Sequence, residues 1–89
     1  MLSGWTKIGD GWEKTFPTGK GSELTVIIGP EEGGIDGLAF REKRSPEAPE
    51  EPRLGAQLQD WMDVLSPEAL IEIIAKRDKQ VPDLPETAS

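Results

Sequence analysis

A ten-residue run at positions 44–53, Arg-Ser-Pro-Glu-Ala-Pro-Glu-Glu-Pro-Arg, holds three prolines and three glutamates and no large apolar side chain. Such a stretch cannot build a core of its own. It divides the 89-residue chain into two parts whose hydrophobic periods differ. Strands gathered before it and helices gathered after it define an α+β fold. The run itself reads as an extended or flexible linker, with a rigid strap laid across the fold as the alternative.

Before the linker, at 1–43, the period is two. Residues 12–16 are rich in aromatic side chains and threonine, and Pro17 ends them. Thr18-Gly19-Lys20-Gly21-Ser22 is a turn cluster. Residues 23–28 place Leu24, Val26 and Ile28 on one face and Thr25 and Ile27 on the other. A second turn cluster follows at 29–34. Residues 35–43 then set Leu38 and Phe40 against Ala39, Arg41 and Lys43. Three strands with loops of about five or six residues make an antiparallel meander.

A fourth, short strand comes from a doubled tetrad, Gly4-Trp5-Thr6-Lys7 and Gly11-Trp12-Glu13-Lys14. Residues 5–8 and 12–16 flank Gly9-Asp10-Gly11, a strong hairpin signal. With Gly9-Asp10 as the turn, Lys7 faces Trp12 and Trp5 faces Lys14, two cation–π pairs of about 0.5–1 kcal/mol each. With Asp10-Gly11 as the turn, Lys7 faces Lys14 and Trp5 faces Phe16. Composition leaves both registers open. It also leaves open why Lys14 shares a strand face with Trp12 and Phe16.

After the linker, at 54–80, the period is helical. Leu54, Leu58, Trp61 and Leu65 are spaced four, three and four, a single stripe. Ser66-Pro67-Glu68 restarts a helix, with Ser as N-cap and Pro at the first helical position. That second helix carries Leu70, Ile71, Ile73 and Ile74, with Lys76, Arg77 and Lys79 favouring its C-terminal end. The expectation is therefore a three- to four-stranded meander, a Pro-rich linker and two C-terminal helices packed on the sheet, forming one domain over 1–80. Residues 81–89 read as a disordered tail. The expected core is Ile8, Trp12, Phe16, Leu24, Val26, Ile28, Leu38, Phe40, Leu58, Trp61, Leu65, Leu70 and Ile74.

The chain has no His, no Cys and only Asp, Glu, Lys, Ser and Thr with which to do chemistry, since Tyr is also absent. The commonest acid–base, nucleophilic and metal-ligating groups are thus missing. The Thr18–Ser22 cluster lacks the glycine spacing of a phosphate-binding loop, and a strand pattern follows it where such a loop needs a helix. Glu31, Glu32 and Asp36 lack the ligand spacing of a calcium loop. No catalytic residue, metal site or cofactor is expected, and the protein reads as a non-enzyme. No run is long and apolar enough to span a membrane, and the N-terminus lacks the features of a signal peptide, so a cytoplasmic location is expected.

Charge is the remaining functional signal. The formal net charge is −7; residues 1–45 carry six basic and seven acidic side chains, residues 46–89 four and ten. An acidic half attracts basic surfaces and repels phosphate. The expected function is a non-enzymatic protein-binding module, a small acidic inhibitor or adaptor of a larger, basic and even nucleic-acid-binding protein. In general character it is similar to phage-encoded inhibitors. The expected contact residues are Trp5, Glu47, Glu50, Glu51, Asp60, Asp63, Glu68 and Glu72. Two other classes stand beside it. One is a structural or homo-oligomerising subunit that uses the C-terminal helices. The other is a single-stranded nucleic-acid binder that stacks bases on Trp5 and Trp12, an option the acidic balance disfavours.

Overall fold

The computed structural model describes residues 4–9, 11–29 and 37–80. The turn residue Asp10, the second turn cluster from 30 with Glu31, Glu32 and Asp36, and the tail 81–89 lie outside the described residues.

Five strands run in chain order across one sheet: β1 (Thr6–Ile8), β2 (Gly11–Pro17), β3 (Glu23–Ile28), β4 (Leu38–Lys43) and β5 (Glu51–Pro52). Every neighbouring pair is antiparallel. One helix, α1 (Pro67–Gln80), follows a short 3-10 turn at Leu58–Trp61. The class is α+β, as the two hydrophobic periods imply. The counts differ from expectation at two places, a fifth strand and a missing helix.

The fifth strand arises inside the Pro/Glu run. Glu51 pairs with Glu42 and Pro52 with Arg41, and the Arg53 amide donates to the Phe40 carbonyl at 2.9 Å. Proline cannot donate to a ladder, so it sits where a strand has one open side. Here it forms the sheet edge, a position that also discourages pairing with another chain. Side chains fasten the strap on both faces of the sheet. Glu50 accepts from the Thr25 hydroxyl at 2.6 Å and lies 3.4 Å from Arg41, while Arg53 lies 3.5 Å from Glu42. The second half of the run is therefore docked.

The missing helix is the one expected over 54–65. Gly55 has a φ of 78°, a left-handed conformation that a continuous helix does not contain. Leu54 is 92% exposed, so it shares no buried face with its supposed partners. What remains is the 3-10 turn, in which residues three apart eclipse. It turns Trp61 and, just beyond it, Leu65 into the core. Asp60 closes the turn by accepting from the Gln57 amide at 2.7 Å.

β1 and β2 pair Thr6 with Glu13, Lys7 with Trp12 and Ile8 with Gly11, the register with residues 9 and 10 as the turn. Gly9 has a φ of 53°, as that tight connection requires. Gly11 is needed for a different reason: a Cβ there would collide with the Ile28 carbonyl of β3. The glycine of the second tetrad thus lets β2 and β3 approach closely.

One face of the sheet carries Phe16, Leu24, Val26, Ile28, Leu38 and Phe40, and this face receives Trp61, Leu65, Ala69 and Ile73. Trp61 packs against Phe40 with ring centroids 5.7 Å apart. Ser66 caps α1 by accepting from the Ala69 amide at 3.1 Å, so the helix begins where Ser-Pro-Glu predicts. Its rotation departs from expectation. Ala69, Ile73 and Lys76 are buried against the sheet, Leu70 is half-buried, and Ile74 is among the exposed residues. Ile8, Trp12 and Leu58, also expected in the core, are half-buried.

Candidate functional site

The rotation of α1 follows from its charges. Lys14 projects from β2 onto the core-facing side, where Trp12 and Phe16 also lie. A lone ammonium there would carry a large desolvation cost. Glu72 of α1 meets it at 2.6 Å, with side chains 24% and 17% exposed. The same Glu72 oxygen accepts from the Trp5 indole at 2.9 Å. Trp5 packs its ring on Phe16 at 5.9 Å in an edge-on arrangement, and the Lys14 ammonium lies 5.2 Å from the Phe16 ring. One turn further along α1, the Lys76 ammonium lies 3.9 Å over Trp12, whose ring also receives Lys7 at 5.1 Å. Trp5, Trp12 and Lys14 of the amino-terminal hairpin are thus tied to the helix through Glu72 and Lys76, while Lys7 stacks on Trp12 within the hairpin.

This arrangement redistributes the expected contact residues. Glu72 faces inward, in correction of its expected place on the acidic outer face. Trp5 is half-buried and spends its N–H on Glu72. Glu50 is bound to Thr25 and Arg41. Asp60 is exposed but caps the 3-10 turn. Glu47, Glu51, Asp63 and Glu68 remain exposed, and they make no ion pair among the described residues. Trp5 and Trp12, the proposed base-stacking pair, are both engaged within the fold.

The sequence places contact carboxylates on the outer face of α1; the structure sets isoleucines beside them. Ile71 is 68% exposed and Ile74 39%. They stand three residues apart, hence on one face of the helix. Glu68 stands three residues before Ile71, and Asp78 four residues after Ile74; both are exposed. Met62, at the end of the 3-10 turn, is 58% exposed next to the exposed Asp63. Four apolar residues at 70, 71, 73 and 74 cannot all face one way on a helix. That was the available signal, and only the phase set by Glu72 and Lys76 shows which pair faces out.

Among the described residues, no helix is long and apolar enough to cross a membrane, and no group of three or more acidic side chains is placed to hold a metal ion. No family model matches the chain, and neither a curated protein nor a solved structure matches it.

Proposed function

We propose that the protein is a non-enzymatic binding module that docks on a basic surface of a larger protein through the outer face of α1. The observation that carries this reading is the exposed Ile71–Ile74 pair, on a helix that directs Glu72 and Lys76 inward. Exposing two isoleucines while burying two charges is the reverse of the usual economy of a small domain. A partner that covers Ile71 and Ile74 removes that cost. Glu68 beside them, with Asp63, Glu47, Glu51 and the net charge of −7, selects a basic partner by charge complementarity. Apolar contact at the isoleucines governs residence time, and the carboxylates raise the association rate. Action as an inhibitor follows if the covered surface is one the partner uses for phosphate or another anion.

The test is affinity capture with the wild-type chain and with Ile71→Glu/Ile74→Glu, followed by kinetics on the purified pair. Wild type retains a basic protein that the double variant loses. Glu68→Gln/Asp63→Asn slows association several-fold at low salt, and the loss shrinks as the screening length falls below about 8–10 Å. A bound partner that tolerates Ile71→Glu/Ile74→Glu overturns this assignment of the surface. Failure to retain a basic protein, together with a wild-type dimer in sedimentation that the double variant abolishes, favours the oligomerisation reading instead.

A further inference from the structure

The outer face of α1 carries a self-complementary pattern. Lys79 is exposed near the C-terminal end of the helix, as Glu68 is near its start. Neither makes an ion pair among the described residues. At 3.6 residues per turn the two lie about three turns apart and within about 20° of one another around the axis. They therefore share one edge of the strip formed by Ile71, Ile74 and the half-buried Ala75. Along the axis, the midpoint between Glu68 and Lys79 falls about 1.5 Å from the midpoint between Ile71 and Ile74. Asp78, at the end of the strip, has its own counter-charge in Arg77 at 3.6 Å.

Such a pattern matches itself under a two-fold axis. In an antiparallel pair of identical helices, an edge of one lies against the same edge of the other in reverse order, so residue i meets j and j meets i. Glu68 then meets Lys79 of the second copy, and Lys79 meets its Glu68. Ile71 and Ile74 pack on their counterparts at the centre, where the small Ala75 lets the axes approach to about 8–10 Å. A parallel pair would instead oppose Glu68 to Glu68 and Lys79 to Lys79.

We infer that, in the absence of its partner, α1 covers its outer face with a second copy of this chain, in an antiparallel pair centred on Ile71 and Ile74. The inference rests on the reading of that face as a contact surface and adds its regulation: partner and second copy compete for the same isoleucines. One face of a 14-residue helix offers less than the roughly 800 Å² per partner of a stable interface, and each copy carries a net charge of −7. The dimer is therefore weak and readily displaced.

The test is sedimentation equilibrium of the full chain up to about 1 mM, at physiological salt, where charge is screened beyond about 8 Å. Wild type is expected to move from monomer toward dimer across that range. Glu68→Lys and Lys79→Glu each place like charges in contact at two symmetric points and should weaken association by about three- to ten-fold. Two rescues are expected, the double variant Glu68→Lys/Lys79→Glu and an equimolar mixture of the two single variants, because in both every contact is again of opposite sign. If the double variant loses helix to the opposed dipole, read by circular dichroism, the mixture carries the test. A wild-type monomer throughout, or single variants that associate as wild type does, overturns the pairing. A wild-type monomer that still retains a basic protein through Ile71 and Ile74 overturns the dimer alone and leaves the contact-face reading standing. A charge-dependent dimer that retains no basic protein supports the pairing and removes the proposed partner.

Discussion

The two faces of α1 are built the wrong way round for a helix resting on a sheet. The inner face holds Ala69 and Ile73 but also Glu72 and Lys76; the outer face holds Ile71 and Ile74 among Glu68 and Asp78. A helix phased only by hydrophobicity would turn Leu70 and Ile74 inward. The charges decide otherwise, because Lys14 and Trp12 sit on the sheet face that the helix covers. An ammonium placed there is best met by a carboxylate, and in the observed rotation Glu72 reaches it at 2.6 Å. The inner charges thus expose the outer isoleucines, and one constraint produces both the packing and the candidate contact surface.

The largest effect expected from breaking this contrast is on the inner apolar face. Ile73 is fully buried, so Ile73→Ala should cost about 2–5 kcal/mol, read as a lower urea midpoint at unchanged slope. The same truncation at Ile71 should shift stability by no more than about 0.5 kcal/mol. Equal losses at the two positions would show that α1 is not phased as described.

The inner charges come next. Glu72→Ala leaves Lys14 and the Trp5 indole without their shared acceptor and should cost about 2–3 kcal/mol. Lys14→Met/Glu72→Leu removes both charges and should recover most of that loss, since a well-packed apolar pair replaces a partly buried ion pair at little cost. A double variant as unstable as Glu72→Ala would show that the pair does more than compensate its own burial.

A smaller effect concerns the strap. Thr25→Val removes the hydroxyl shared by Thr15 and Glu50 and should cost about 1–2 kcal/mol. In native-state hydrogen exchange, the Arg53 amide should be protected through its bond to Phe40 and the exposed Glu47 amide should exchange rapidly. Fast exchange at Arg53 would return the whole run to the linker reading.

The smallest expected change in stability is at the outer face. Ile71→Glu/Ile74→Glu should alter the unfolding free energy by about 0.5 kcal/mol or less per site while abolishing capture of the partner. Loss of both folding and capture would remove the evidence that these isoleucines serve binding.

How far local sequence reaches is clear from particular elements. The alternation of Leu24, Val26 and Ile28 identified β3 and the face it turns to the helix, although Thr25 and Ile27 on the opposite face are buried as well, and Ser66-Pro67-Glu68 identified the start of α1, because period and capping are local properties. The stripe Leu54–Leu58–Trp61–Leu65 misled. Spacings of three and four suit an α-helix and also a succession of tight turns, and Gly55 settles the matter only once its left-handed backbone is seen. The Pro/Glu run misled in the other direction. Its composition supplies no core, but the open edge of β4 supplies hydrogen-bond partners that composition does not register. The acidic contact residues were readable as charge, yet Glu72 and Glu50 turned out to have partners within the chain.

What the sequence determined alone is the α+β class, most of the meander, the helix start and a chemistry without His, Cys or Tyr. Periodicity, capping and composition act over a few residues, so a linear reading captures them. The tertiary structure alone decided the phase of α1, the docking of the strap and the buried, unpartnered indole N–H of Trp61. Each depends on groups far apart in the chain: Lys14 with Glu72, Phe40 with Arg53, Trp61 with the walls around it. Their pairing is set by burial, and burial exists only once the sheet and helix have closed on one another.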